Sequence, residues 1–208
     1  MSKIDSVVTS GRGDDGTTGL LYGGPRIRKD DPKTEAYGTV DEAVAAMGLA
    51  RAELGVKSQY GILNAGLASV GELILRLQRE LFVVGSELAT TPEAVDRLED
   101  GQTRVSAEMV QSLTELVVDL EKRIEMPREF VVPGETRTSA ALELARTIIR
   151  RAERRVVTLQ AEGLLRSEHL LPYLNRFADL VWVLARTAEQ AEARTSTPAR
   201  MKRKERSR

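Results

Sequence analysis

A chain of 208 residues with no cysteine and a single histidine leaves no place for disulfides, thiolate chemistry or a histidine-rich metal site. At 41% hydrophobic, 30% charged and only 4% aromatic residues, it has the composition of a globular domain packed with aliphatic side chains, as helical bundles are. The formal net charge of zero hides an asymmetry, because residues 194–208 hold seven Lys/Arg against Glu205, a net +6 that the rest offsets with −6. With no apolar run long enough for a membrane and no secretory pattern, a cytoplasmic protein is expected.

Residues 1–34 read as loop and short extended pieces. Val7-Val8 and Leu20-Leu21-Tyr22 are placed to form a small hairpin around the glycine-rich stretch Gly11-Arg-Gly-Asp-Asp-Gly-Thr-Thr18. A first helix is predicted from about Thr34 to Leu54, with Val40, Val44, Met47 and Leu54 on one face. Residues 55–67 read as a loop. A second helix, about 68–89, puts Leu77, Leu81, Val84 and Leu88 together, and 90–105 is polar. Ser106 has the character of an N-cap for a third helix striped by Met109, Leu113, Leu116, Leu120 and Ile124 and ended by Pro127. After an extended piece at 130–135 come two long helices, about 138–161 and 166–193. These elements predict an all-α, five-helix antiparallel bundle forming one domain over residues 1–193. The basic segment 194–208 has no apolar period and is expected to be a disordered, solvated tail, without nucleic-acid contact.

Three groups of residues are candidates for chemistry. On the fourth helix Arg146, Arg150, Glu153 and Arg154 share a face beside the apolar stripe. Like charges at i, i+4 repel, and a bound anion would relieve them. Guanidinium forks suit phosphate, although a solvated face or an interface rich in acids would serve as well. In the glycine-rich opening, Gly13 and Gly16 permit positive φ and close approach, so successive amides with Ser10, Thr17 and Thr18 could cradle an anion. Arg26, Arg28 and Lys29 follow. A plain surface turn is the alternative, since neither a Walker loop nor a dinucleotide fingerprint is present. On the fifth helix Asn175, Asp179, Trp182 and Arg186 share a face, suited to a flat ligand with polar edges or to an interface. Asp41 either partners an arginine or favours the dipole of the first helix. His169, alone between helices, reads as structural. With strong protein nucleophiles scarce, an enzyme built from this chain would receive its nucleophile from a substrate or from water.

Taken in order, several segments resemble the PduO-type ATP:cob(I)alamin adenosyltransferases. They are Gly13-Asp-Asp-Gly-Thr-Thr18, Lys29-Asp-Asp-Pro32 with Ala36-Tyr-Gly-Thr-Val-Asp-Glu42, and Leu77-Gln-Arg-Glu-Leu-Phe82 with Gly85-Ser-Glu-Leu-Ala-Thr90. The series continues with Phe130-Val-Val-Pro-Gly134, Ala145-Arg146 with Arg150-Arg-Ala-Glu-Arg154, and Tyr173-Leu-Asn-Arg-Phe-Ala-Asp179. The resemblance implies a homotrimer with ATP bound between subunits. It implies transfer of the 5′-deoxyadenosyl group of ATP to the cobalt of cob(I)alamin, giving adenosylcobalamin and triphosphate. ATP and cob(I)alamin are then the substrates, with Mg²⁺ held through phosphates and no dedicated protein metal site.

Carried over by residue, Ser10, Gly11, Arg12, Gly13, Thr18 and Lys29 would hold triphosphate from one subunit. Arg150, Arg151, Ala152, Glu153, Arg154 and Asn175 would bind ATP from the neighbour. Arg146 would pair with Asp41 across the interface, and Arg146, Arg150 and Asp41 are the catalytic candidates. Phe130 would press on the lower corrin face and keep the axial base off cobalt, with Trp182 lining the corrin pocket. A cobalamin reductase and an adenosylcobalamin-dependent enzyme are the implied partners. Ser10-Gly11-Arg12, Glu135 and Glu143 depart from the residues the family usually carries at these positions. An ATP- and cobalamin-binding regulator without transfer activity, and a trimeric helical interaction module, are the other readings.

Overall fold

The computed structural model describes residues 8–59 and 65–200 of the chain. Five α-helices carry the architecture: α1 Pro32–Gln59, α2 Ala65–Leu88, α3 Ala107–Glu121, α4 Arg137–Ala161 and α5 Leu170–Ala191. A 3-10 helix at Pro92–Arg97 bridges α2 and α3. Two two-residue antiparallel ladders flank the bundle, β1 Thr17–Thr18 with β2 Ile27–Arg28 and β3 Val131–Val132 with β4 Thr197–Pro198.

Cross-helix contacts give the directions. Glu35 meets Arg155 and Glu42 meets Arg151, so α1 and α4 are antiparallel. Gln78 donates to the Val44 carbonyl, and Gly71 lies against Leu54, which sets α2 against α1. Arg76 with Ser112 and Glu87 with Val105 oppose α2 and α3. Asn175 with Glu153 and Arg186 with Glu143 oppose α4 and α5. Successive helices therefore alternate, and α3 and α5, two apart in the order, run side by side in the same direction. The apolar stripes read from the sequence meet at the centre: Met47, Leu77, Leu113, Ile149, Tyr173 and Phe177 are fully buried. Each such side chain contributes on the order of 1.5–3 kcal/mol by leaving water.

The helix ends follow local chemistry. Pro32 occupies the first turn of α1, where its missing N–H costs nothing. Ser106 caps α3 by accepting from the Met109 amide. Thr136 and Ser139 form a reciprocal capping box at the start of α4. At the end of α4, Gly163 at φ 70° lets the Leu164 amide reach the Leu159 carbonyl at 2.8 Å.

Several expectations need correction. In place of the expected hairpin of Val7-Val8 with Leu20–Tyr22, Thr17–Thr18 pairs with Ile27–Arg28, and Leu21 forms an isolated bridge with Thr90. Val7 lies outside the described residues. The helix α1 runs on to Gln59 and α2 begins at Ala65, so the expected loop at 55–67 is largely helical, with 60–64 outside the described residues. The third helix ends at Glu121, short of Pro127. The fifth starts at Leu170, because Ser167 takes up the Leu170 amide and holds 166–169 as a connection. Residues 194–200 are not free: Thr197 and Pro198 pair with Val132 and Val131. Residues 201–208 lie outside the described residues. None of the described helices is long and apolar enough to cross a membrane.

Candidate functional site

The glycine-rich loop precedes α1 and is built from its own backbone. Gly11 and Gly16 take φ 67° and 77°, conformations that cost other L-residues energy. Gly13 matters for space rather than φ, since a Cβ there would stand 2.9 Å from the Lys29 ammonium nitrogen. Arg26 braces the loop: its Nε donates to the Thr17 hydroxyl at 2.7 Å and its Nη2 to the Arg12 carbonyl at 2.7 Å. Asp15 accepts from both the amide and the hydroxyl of Thr17, which holds its carboxyl below the usual range. Arg28 is occupied by Asp30. The amides of Asp14, Gly16 and Thr17 bond within the loop, so they are not turned outward as a nest. The surface the loop offers is narrower than the sequence suggested: the Lys29 ammonium lying over Gly13, with Ser10 and Thr18 nearby in the chain.

The arginine face of α4 is divided by its neighbours. Arg151 and Arg155 turn toward α1 and pair with Glu42 and Glu35. Glu153 accepts from the Asn175 side chain at 3.1 Å, which links α4 to α5 at one of the expected ATP positions. The Ala152 side chain is 1% exposed and packs in the core, so it cannot itself touch a ligand. Arg150 and Arg154 are exposed, the Arg154 guanidinium donating to the Arg150 carbonyl at 2.9 Å. No hydrogen bond or ion pair among the described residues joins the loop of residues 10–29 to Arg150, Arg154 or Asn175.

Two adjoining clefts flank Arg146 and Trp182. One, of about 620 Å³, is lined by Phe130, Val131, Pro133, Glu143, Arg146, Trp182, Ala199 and Arg200 among others. The other, of about 330 Å³, has Arg146, Arg150, Asp179, Trp182 and Glu121 on its walls. Phe130, Arg146 and Trp182, singled out separately along the sequence, thus come together. Phe130 is 92% exposed, an unusual position for a large apolar ring unless something covers it. Asp179 has its carboxyl raised, chiefly by partial burial, against the opposing pull of Arg176. Asp41 is exposed on α1. Within the chain the carboxylate held by Arg146 belongs to Glu143, at 2.7 Å.

Sequence reasoning missed what lies beneath these clefts. Arg186, grouped with Trp182 on a face suited to a ligand or an interface, is fully buried. It bonds Glu189 at 2.8 Å and Glu143 at 3.3 Å, both carboxylates also buried, and its guanidinium carbon is 5.5 Å from the Trp182 ring centre. A signal existed in the i, i+3 spacing of Arg186 and Glu189, which places opposite charges on one face. Two nitrogens of Arg186, Nε and Nη1, have no hydrogen-bond partner among the described residues.

Comparison with known proteins fits this geometry. The sequence pattern of the family described as cobalamin adenosyltransferase matches residues 8–188. A corrinoid adenosyltransferase of Citrobacter freundii is 36% identical over 177 residues, 85% of this chain and 92% of its own length. One from Bacillus subtilis is 37% identical over 175 residues, 84% of this chain and 82% of its own. A solved structure of a variant PduO-type ATP:corrinoid adenosyltransferase from Lactobacillus reuteri, complexed with cobalamin and ATP, aligns with a TM-score of 0.78 at 27% identity. It covers 93% of this chain and 96% of that one.

Proposed function

The chain belongs to the cobalamin adenosyltransferase family, and from that membership we propose that it transfers the 5′-deoxyadenosyl group of ATP to the cobalt of cob(I)alamin. The products are adenosylcobalamin and inorganic triphosphate. The observation that carries this reading is the convergence of Phe130, Arg146 and Trp182 on one cleft next to Arg150.

The step needs no protein nucleophile. The electron pair on Co(I) forms the bond to C5′, the C5′–O bond breaks, and triphosphate leaves with the bonding pair of that broken C–O bond. What the protein must supply is position and charge stabilisation. Lys29 over Gly13 and the exposed Arg150 and Arg154 are cations suited to the departing triphosphate. Phe130, held out in the larger cleft, is placed to cover one corrin face and to keep the axial base from cobalt. Among the described residues no group of acidic or histidine side chains gathers to hold a metal ion. Asp15 is taken up by Thr17. Mg²⁺ accompanying ATP would rest on phosphate oxygens and water.

A homotrimer completes the site on this reading. The loop and the Arg150 patch are unconnected within one chain, and Asp41 is exposed, ready to meet Arg146 of another subunit. Leu49, Phe82, Leu144 and Val157 are exposed apolar side chains on α1, α2 and α4, suited to subunit contacts. A reductase supplying cob(I)alamin and an enzyme consuming adenosylcobalamin are the partners the chemistry requires.

The test is an anaerobic mixture of the protein, chemically reduced cob(I)alamin, ATP and Mg²⁺, followed by visible absorbance. Loss of the cob(I)alamin band with growth of light-sensitive adenosylcobalamin, dependent on both protein and ATP, is expected. Tight binding of ATP and cobalamin without product would replace the enzyme with a carrier or regulator.

A further inference from the structure

The family match ends at residue 188, yet the chain beyond it closes one side of the larger cleft. Gln190, near the end of α5, clamps the start of the Phe130 segment. Its side-chain oxygen accepts from the Glu125 amide at 2.9 Å and its nitrogen donates to the Glu125 carbonyl at 2.6 Å. The helix then stops with Ala193 at φ 55°, and the Arg194 amide reaches back to the Glu189 carbonyl at 2.9 Å. This turn leads residues 197–198 onto 131–132, and the Ala199 amide donates to the Phe130 carbonyl at 2.7 Å. The Phe130 segment is thus held at Glu125, at the Phe130 carbonyl and at Val131–Val132, while the Phe130 ring stays in solvent.

A second, buried connection runs in parallel. The Ser196 hydroxyl donates to Glu189 at 2.5 Å, Glu189 holds Arg186, Arg186 holds Glu143, and Glu143 holds Arg146. A two-residue ladder is weak by itself. Its tie to a buried, charge-assisted network gives the segment a defined seat.

We propose that residues 194–200 act as a strap that positions Phe130 and Arg146 for the corrin, so that productive corrin binding in this chain depends on a segment outside the family match. The proposal rests on the reading of the larger cleft as the corrin site. Phe130 and Arg146 face the substrate; Ser196 is a positioning residue that acts through them, and Ala199, itself in the wall of the cleft, holds Phe130 through its amide.

The experiment compares full-length Ala199→Pro, Ser196→Ala and Phe130→Ala with the unaltered chain. Ala199→Pro removes the one N–H that holds the Phe130 carbonyl, at an exposed position where the core is not touched. Steady-state assays give KM for cob(I)alamin and for ATP, and electron paramagnetic resonance of cob(II)alamin with ATP gives the base-off fraction. For Ala199→Pro, KM for cob(I)alamin should rise by about tenfold, the scale of one lost hydrogen bond with its orientation, with KM for ATP unchanged. The base-off signal should shrink. Ser196→Ala, which leaves the backbone intact, should lower kcat and leave KM for ATP unchanged, and it decides the matter if the proline variant does not fold. If Phe130→Ala loses the base-off signal while both strap variants behave as the unaltered chain, the strap is refuted and the corrin reading stands. If Phe130→Ala is also silent, the corrin reading of this cleft falls and takes the strap with it.

Discussion

Individual buried charges show how the bundle is held at its ends. Glu87, 3% exposed, accepts from the Val105 amide at 2.8 Å and from the Ser167 side chain, joining the end of α2 to the segments before α3 and α5. Burial raises its carboxyl pKa, opposed by these bonds and by Arg104 and His169. The sign follows directly. The folded chain holds this proton more tightly than the unfolded chain, so stability contributed here declines as pH rises from the ordinary carboxylate value through the raised one. Below that window the group costs nothing. Glu87→Gln keeps an acceptor for Val105 and removes the charge. The melting temperature of the variant, compared with the unaltered chain at equal protein concentration, should gain as pH increases across the window and then level off. About 2–4 °C corresponds to each kcal/mol in a chain of this size. A difference that shrinks with rising pH would show that hydrogen bonds to the ionised form outweigh burial. Lys33 is the mirror case on α1: burial lowers its pKa while its ammonium donates to the Thr90 carbonyl at 3.0 Å.

Among the elements, α5 carries the sharpest local conflict. It ends in a left-handed residue that is Ala193 rather than glycine, with the Ala193 amide on the Gln190 carbonyl at 3.0 Å and the Arg194 amide on the Glu189 carbonyl. Holding an alanine there costs about 1–2 kcal/mol. Ala193→Gly should therefore raise unfolding free energy by about 0.5–1 kcal/mol, the relief being reduced by the extra freedom glycine gives the unfolded chain. Urea unfolding with an unchanged slope checks this, and a loss of stability would mean that the turn is not strained. This end is also where the sequence was least legible. Stripes at helical spacing placed the cores of the first three helices, because Leu, Val and Ala at i, i+3 and i+4 have one way to leave water. The partners of Thr197 and Pro198 lie some 65 residues away, and two residues give no alternation to read. The burial of Arg186 was not legible because a helical wheel shows which residues share a face but not the buried carboxylates Glu143 and Glu189 waiting on that side. At the candidate site the structure joins residues that the sequence had singled out only separately: Lys29 lies over Gly13, and Glu153 accepts from Asn175 between α4 and α5.

For the whole molecule, the proposed trimer requires that the loop and the Arg150 patch of different chains form one site. Within the chain, the glycine-rich loop sits ahead of α1, where α1 turns Glu35 and Glu42 to Arg155 and Arg151. Arg150, by contrast, opens into the cleft shared with Asp179 and Trp182 on α5. In a ring of three subunits with head-to-tail contacts, the loop of each chain can face the Arg150 patch of the next, and every site then draws on two chains. This arrangement has a consequence that a single-chain site cannot imitate. Lys29→Ala and Arg150→Ala should each lose most activity, by about 10²–10³ in kcat if each removes one preorganised charge donor. Equal amounts of the two inactive proteins, unfolded and refolded together, form mixed rings at random. A site is intact when its loop comes from an Arg150→Ala chain and its arginine from a Lys29→Ala chain, which gives about a quarter of all sites. Activity should therefore return to roughly that fraction of the unaltered protein, while each variant refolded alone stays inactive. If loop and arginine serve the same site from one chain, no mixed ring contains an intact pair and the mixture remains as inactive as its components.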